Sequence, residues 1–229
     1  MARLPNDPIS KALSAVAHFE TSMRIYGPKL QLEIESCFEA GEKSSRLHNR
    51  MLDEPEAVSL EFGYLVEASY EVDAYDSAAF ISAGGSFLIV DEILTDLAHR
   101  FEVNEGLDAD FGRFSVSTRE LSLPRTAAAG GNMFRHILEW EQLPFDDGDR
   151  TYITPGNRRA RQLFERQMQS IEAIREAVET RFRLARYHAA ILLDILCSSF
   201  ETRERSYEIL GARLLNCCRE LALRAGVAI

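Results

Sequence analysis

The chain has 229 residues, of which 46% are hydrophobic and 27% charged, and its formal net charge is −10. This length and composition are sufficient for a buried core and exclude disorder of the whole chain. No apolar run approaches the roughly 18 residues that span a bilayer, and the opening residues MARLPNDPISKAL lack the apolar core of a secretory signal. We therefore expect a cytoplasmic protein without membrane contact.

The charged residues also bear on source and partners. Of the 26 basic residues, 23 are arginine, which indicates a GC-rich bacterial genome. An acidic chain is a poor general binder of nucleic acid, because phosphate contacts require a positive surface. Segment 157–167 (NRRARQLFERQ) is a local basic exception, so RNA stays open as a partner.

The first predicted element is a helix that begins at Asp7-Pro8, with Asp7 as the N-cap and Pro8 in the first turn. Gly27-Pro28 is expected to break or bend this helix. The next region, 28–75, is ambiguous because residues 30–34 (Leu30, Leu32 and Ile34) and residues 58–74 alternate apolar and polar as in a strand. A 17-residue strand would be about three times the usual length, so we predict helix, with a possible minor β element within 28–75.

The later elements are better defined. Residues 86–101 place their apolar side chains on one helical face, 102–130 are expected to be a connection with one short strand near 114–123, and 141–157 form a second loop. From Arg158 an apolar stripe at helical spacing predicts a long C-terminal helical hairpin that bends or ends near 198–204. The fold prediction is a mainly α helical bundle in a single domain, 1–229.

The residues that usually mark metal and cofactor sites are missing from the sequence. The four cysteines form no CxxC pair, and we expect them to be buried small apolar residues in a reducing compartment. Phosphate-binding glycine loops, the dinucleotide fingerprint and HExxH are also missing. We therefore expect neither a metal nor a cofactor.

One stretch, GGNMFRHILEW at 130–140, carries an unusual set of polar residues. On a helix, Asn132, His136 and Glu139 fall at positions i, i+4 and i+7, and Arg135 lies beside them. Histidine ordinarily titrates near neutral pH and suits proton transfer, arginine suits phosphate, and Glu139 is placed to orient His136. This set would serve metal-independent RNA cleavage, in which one group takes the proton of a ribose 2′-hydroxyl and a cation stabilises the phosphorane.

The same stretch resembles HEPN-type helical domains, many of which are ribonucleases of toxin and defence systems. Their motif is an arginine, a polar residue that is often asparagine, three or so variable residues and a histidine; Asn132 to His136 is similar to its second half. Glu139-Trp140 resembles the acidic tail of some bacterial members. The resemblance covers about ten residues and departs from the family at Gly131, which stands where the catalytic arginine would be. Two alternatives follow: Arg135 substitutes for that arginine, or the protein is a non-catalytic member of the family that binds RNA. The resemblance implies RNA as the ligand and a homodimer, with the site where two helices of the dimer meet.

Other interpretations of the sequence stay open. Gly130 to Asn132 is also typical of a loop that ends in a helix N-cap, or of a glycine turn that binds an anion at a helix N-terminus. Arg183 and His188 form a second, weaker Arg-His pair. The rival function is a non-enzymatic adaptor or regulator that binds a protein partner through an apolar helical face. The site hypothesis requires Asn132 and His136 to be exposed in a shared cleft near arginines. The adaptor hypothesis requires Asn132 to be a helix cap, His136 to lie outside any pocket, and an exposed apolar patch elsewhere.

Overall fold

The computed structural model describes residues 7–103, 111–116, 119–199, 202 and 204–229, except for the side chain of Leu163. Within these residues the fold is mainly α, with two short antiparallel hairpins, as predicted. The elements in chain order are α1 (Pro8–Asp53), α2 (Pro55–Phe62), α3 (Leu65–Arg100), β1 (Arg113–Val116), β2 (Arg119–Ser122), α4 (Leu123–Trp140), β3 (Phe145–Asp146), β4 (Thr151–Tyr152), α5 (Arg158–Ala177), α6 (Tyr187–Cys197) and α7 (Tyr207–Arg224).

Helix α1 begins where the sequence predicts, but it continues beyond its predicted break. The Asp7 side chain accepts a hydrogen bond from the backbone N–H of Ile9, and Pro8 lies in the first turn, which confirms the predicted start. The predicted break at Gly27-Pro28 is wrong, because the helix continues through Pro28 to Asp53. Pro28 is exposed, so its ring and the missing N–H are accommodated on the solvent face.

Pro28→Ala is expected to raise the free energy of unfolding by about 2 kcal/mol. Proline is about 3 kcal/mol less favourable than alanine inside a helix, and roughly 1 kcal/mol of this is offset because proline also restricts the unfolded chain. Chemical denaturation of the purified protein measures the change. Lys29→Ala, at the next exposed position, is the control and should shift stability by less than about 0.5 kcal/mol. A loss of stability in Pro28→Ala would contradict a continuous α1.

The possible β element within 28–75 is wrong, because this region belongs to α1, α2 and α3. Leu30 and Ile34 are buried while Leu32 is 62% exposed. A strand would place all three side chains on one face, whereas a helix separates the middle one from the other two. The strands lie instead at 113–122 and 145–152, and the first hairpin includes the predicted short strand near 114–123. Ser117 and Thr118 of that segment lie outside the described residues.

The glycine pair 130–131 lies inside a helix. Helix α4 begins at Leu123, with Ser122 as its N-cap: the Ser122 hydroxyl accepts a hydrogen bond from the backbone N–H of Arg125. The prediction that residues 102–130 form a connection is therefore wrong for residues 123–130, which form the first two turns of α4. Asn132 is not an N-cap, and the anion-binding glycine turn is wrong as well, because the glycines are not at a helix N-terminus.

The glycines allow α3 and α4 to pack closely. A Cβ atom on Gly130 would lie 2.5 Å from the Phe87 ring, and one on Gly84 would lie 1.9 Å from the Phe134 ring. Real Cβ atoms do not approach carbon atoms so closely. An aromatic ring from each helix therefore packs directly against a glycine of the other helix. Gly131 is different, because its Cβ would meet nothing closer than the Arg135 guanidinium at 3.6 Å.

The C-terminal region contains three helices, so the predicted long hairpin is wrong. Helix α5 ends at Ala177, and α6 begins only at Tyr187. The Arg119 guanidinium donates hydrogen bonds to the backbone carbonyls of Glu176 and Ala177, at the C-terminal end of α5. This cap comes from the β1–β2 hairpin, which is far away in sequence, and it explains why the apolar stripe alone did not locate the end of the helix.

The four cysteines are buried and free, as predicted. Burial raises the pKa of the Cys37 thiol to about 12 and that of Cys217 also to about 12. These thiols are therefore protonated at neutral pH and pack as apolar side chains. Among the described helices, Leu65–Arg100 is long and apolar enough to cross a membrane by length and composition alone, but half of its apolar window is buried in the protein, and a core helix meets the same criteria.

Candidate functional site

A cavity of about 200 Å³ lies between α4 and α5. Helix α4 contributes three side chains at intervals of four residues, and α5 contributes three from the facing turn. The lining residues are Asn132, His136, Trp140, Arg166, Gln167 and Ser170. The structure thus brings two of the sequence-predicted residues, Asn132 and His136, into one cavity together with an arginine.

Asn132 is held by hydrogen bonds on both sides of its amide. Its Nδ2 donates to the Ser170 hydroxyl on α5 at 3.0 Å, and its Oδ1 accepts from Arg135 Nη1 at 3.1 Å. Because both ends of the amide are engaged, the orientation of the Asn132 side chain is set by its neighbours. The Ser170 oxygen accepts this bond, so its own proton is available to donate to another group.

Arg135 lies beside the cavity and does not line it. Its guanidinium reaches toward α3, where Nη2 lies 3.6 Å from Asp91 Oδ2. Burial raises the pKa of Asp91, and the positive charge of Arg135 opposes that shift. Arg135 therefore connects Asp91 on α3 to Asn132 and holds the Asn132 amide in place.

His136 faces Glu139 one turn later on α4. The His136 Nδ1 lies 3.4 Å from Glu139 Oε2, within ion-pair distance, but the atom is buried and the contact lacks hydrogen-bond geometry. The same carboxylate oxygen accepts a hydrogen bond of 2.9 Å from Gln167 Nε2. Glu139 is thus fixed by α5 and stands where it is able to orient the imidazole, although it does not line the cavity itself.

Trp140, the last residue of the stretch 130–140, forms part of the cavity wall. The side chain is fully buried, yet its indole Nε1 has no hydrogen-bond partner. A buried N–H without an acceptor is costly, on the order of 1–3 kcal/mol. Trp140 lines the cavity beside the Ser170 hydroxyl and the Arg166 guanidinium, and these two donors suit a group rich in acceptor oxygens such as phosphate.

Sequence reasoning did not find Arg166, Gln167 or Ser170 as site residues. It identified 157–167 as locally basic but had no means of placing that segment against α4. Arg166 also lines a second hollow of about 610 Å³ at the start of α5, with Asn157, Arg159, Ala160 and Gln162. Arg166 therefore borders both the hollow and the α4–α5 cavity, so the basic segment 157–167 lies beside that cavity.

The second Arg-His pair has no such surroundings. His188 is 3% exposed, burial lowers its pKa, and its Nδ1 accepts a hydrogen bond from the backbone N–H of Ala185. Arg183 donates to the backbone carbonyl of Glu141 at 3.0 Å. Both side chains are engaged in local structural contacts.

No family model, curated protein or solved structure matches the chain. The function of the cavity is therefore inferred from its geometry and from the sequence. The HEPN resemblance accordingly stays a prediction. Among the described residues there is also no group of three or more His, Cys, Asp or Glu side chains arranged to hold a metal ion.

Proposed function

We propose that this chain is a HEPN-like, cytoplasmic bacterial protein that binds RNA at the α4–α5 cavity and cleaves it there without a metal ion. The observation that carries the proposal is that Asn132 and His136 line one cavity together with Arg166. This is the arrangement that the site hypothesis requires, and it is joined by a free indole N–H on Trp140. The resemblance around Asn132–His136 supplies the choice of RNA.

The proposed reaction is an internal attack within the RNA strand. His136 accepts the proton of a ribose 2′-hydroxyl, and the 2′-oxygen forms a bond to the adjacent phosphorus. The bond from phosphorus to the 5′-oxygen then breaks, and this oxygen takes a proton from water, which leaves a 2′,3′-cyclic phosphate and a 5′-hydroxyl. The imidazolium of His136 returns its proton to the hydroxide so formed, and both the histidine and the water are restored. Arg166, which lines the cavity, stabilises the negative charge on the phosphorane oxygens.

The other predicted residues assist His136 and Arg166 in this reaction. Asn132 contacts the ribose or phosphate from a fixed position, Arg135 holds Asn132, and Glu139 orients His136. Gly131 stands where the family has its catalytic arginine, and Arg166 supplies the guanidinium group in its place. As in the family, we propose that the protein is a homodimer in which two such sites face each other.

Arg166→Gln is expected to weaken RNA binding by at least about tenfold at low salt, because it removes a cation from the cavity. Fluorescence anisotropy with a labelled single-stranded RNA measures the change, and a salt titration should show a shallower slope for the variant. Arg158→Gln makes the same change of charge on α5, at an exposed position that does not line the cavity. Equal losses in the two variants would indicate general electrostatic attraction and contradict a site at Arg166.

A second candidate function is protein binding, and it is favoured by a surface at the α2–α3 junction. Four large apolar side chains there are more than half exposed: Leu60, Tyr64, Val66 and Tyr70. Leu47, Val58 and Ala68, from α1, α2 and α3, form a small buried cluster that is separate from the main core. The surface at the α2–α3 junction is the exposed apolar patch that the adaptor hypothesis requires, and an RNA-binding assay without signal would leave it as the main functional feature.

A further inference from the structure

A larger cavity, of about 610 Å³, lies between α1 and α6. Helix α1 forms one wall over three turns, from Cys37 to Asn49, and α6 forms the other with Ala190, Ile191 and Asp194. The volume is within the usual range of ligand pockets. A Cβ atom added at Gly41, which lines it, would meet no atom within 4 Å, so the space above this glycine is open.

Much of the lining is apolar and uncharged. Cys37 is buried, and because burial raises its pKa to about 12, the thiol carries no charge at neutral pH. Phe38, Ala190 and Ile191 complete the apolar surface. A hydrocarbon chain placed on these side chains would leave water at little cost in unmet hydrogen bonds.

The charged end of the cavity is organised by Arg205. Its guanidinium is paired with Glu42, lies over the Phe38 ring at 4.7 Å from the centroid, and is 3.6 Å from Asp194 Oδ1. That Asp194 oxygen is buried and accepts no hydrogen bond. Glu42 is engaged on its other side by Arg46 at 3.7 Å, so of the two lining carboxylates it is Asp194 that keeps an oxygen without a hydrogen bond.

We propose that this α1–α6 cavity binds a small amphipathic amine. Its ammonium group donates to Asp194 Oδ1, and its hydrocarbon part lies on Phe38, Ala190 and Ile191. An ammonium supplies the donor that the buried carboxylate oxygen lacks, and a charge-assisted bond of this kind is stronger than a neutral one. The two lining carboxylates and two lining guanidinium groups otherwise balance, so an added cation meets no net positive charge. The inference does not depend on the RNA proposal, since the two cavities have no residue in common.

The test is calorimetric titration of the full chain with hexylamine, with 1-hexanol and hexanoate as comparison ligands. Hexylamine is expected to bind saturably and at least about tenfold more tightly than either comparison ligand. Asp194→Asn keeps the shape of the side chain and removes its charge, and it should weaken hexylamine binding by at least about tenfold. Asp147→Asn, at an exposed position remote in sequence from every lining residue, should leave binding unchanged.

A second pair of variants tests the location without changing any charge. Gly41→Phe fills the cavity and should abolish binding, whereas Gly41→Ala adds one methyl group to open space and should not affect it. Circular dichroism confirms that each variant is folded. The proposal is overturned if hexylamine shows no saturable binding, if 1-hexanol binds as tightly as the amine, or if Asp194→Asn and Gly41→Phe both bind like the unchanged protein.

Discussion

Gly130→Ala is expected to lower the free energy of unfolding by about 1–3 kcal/mol, and Gly131→Ala, one residue later, to raise it by up to about 1 kcal/mol. Both changes favour a helix to the same extent, because both glycines lie inside α4. They differ in what the new methyl group meets. At Gly130 it would lie 2.5 Å from the fully buried Phe87 ring, whereas at Gly131 its nearest neighbour is 3.6 Å away.

Gly84→Ala on α3 should be at least as destabilising as Gly130→Ala, since its methyl group would lie 1.9 Å from the Phe134 ring. Chemical denaturation of the three alanine variants measures the series. The double variant Gly130→Ala/Phe87→Leu is an internal control, because removing the ring relieves the clash and the two changes should then be clearly non-additive. Equal effects of Gly130→Ala and Gly131→Ala would contradict the close packing of α3 on α4.

The helical class was predictable from the sequence because most helices keep their apolar residues at helical spacing. The predicted start at Asp7-Pro8 and the helical face at 86–101 are both confirmed. The errors occur where a local signal competes with packing. Pro28 is tolerated because it is exposed, and the alternation in 28–75 arises from exposed apolar residues such as Leu32, so it does not mark a strand.

Gly130-Gly131 was misinterpreted as a loop because glycine is an ambiguous signal. It marks turns, but it also marks points where two elements approach closely. Only the partner helix distinguishes the two meanings, and here the partner is α3 with Phe87. The same limit applies to the end of α5, whose carbonyls are capped by Arg119 from a distant hairpin.

The candidate site was partly predictable. Asn132, Arg135, His136 and Glu139 follow from helical spacing alone, and the structure places the first and third in one cavity. The α5 side of that cavity was not predictable, because nothing in the spacing of Arg166 or Ser170 indicates which helix they face. Trp140 belonged to the quoted stretch, but its importance depends on a buried N–H that only the structure shows to be without a partner.

His136→Ala is expected to lower the rate of RNA cleavage by about 10²–10⁴-fold, the usual contribution of a general acid or base. The stability of the variant should be nearly unchanged, because 41% of the His136 side chain is exposed. RNA affinity should stay within about threefold of the original value, since the cation at Arg166 remains. His48→Ala, which removes an exposed histidine from α1, is the matched control and should cleave at the original rate.

The most direct test is therefore cleavage of total bacterial RNA by the purified protein in EDTA, compared among the unchanged protein, His136→Ala and His48→Ala. We expect cleavage by the unchanged protein and by His48→Ala, products that end in 2′,3′-cyclic phosphate, and cleavage by His136→Ala that is slower by about 10²–10⁴-fold. Failure of the unchanged protein to cleave RNA, or equal cleavage by His136→Ala, would contradict the proposal that the α4–α5 cavity is a ribonuclease site.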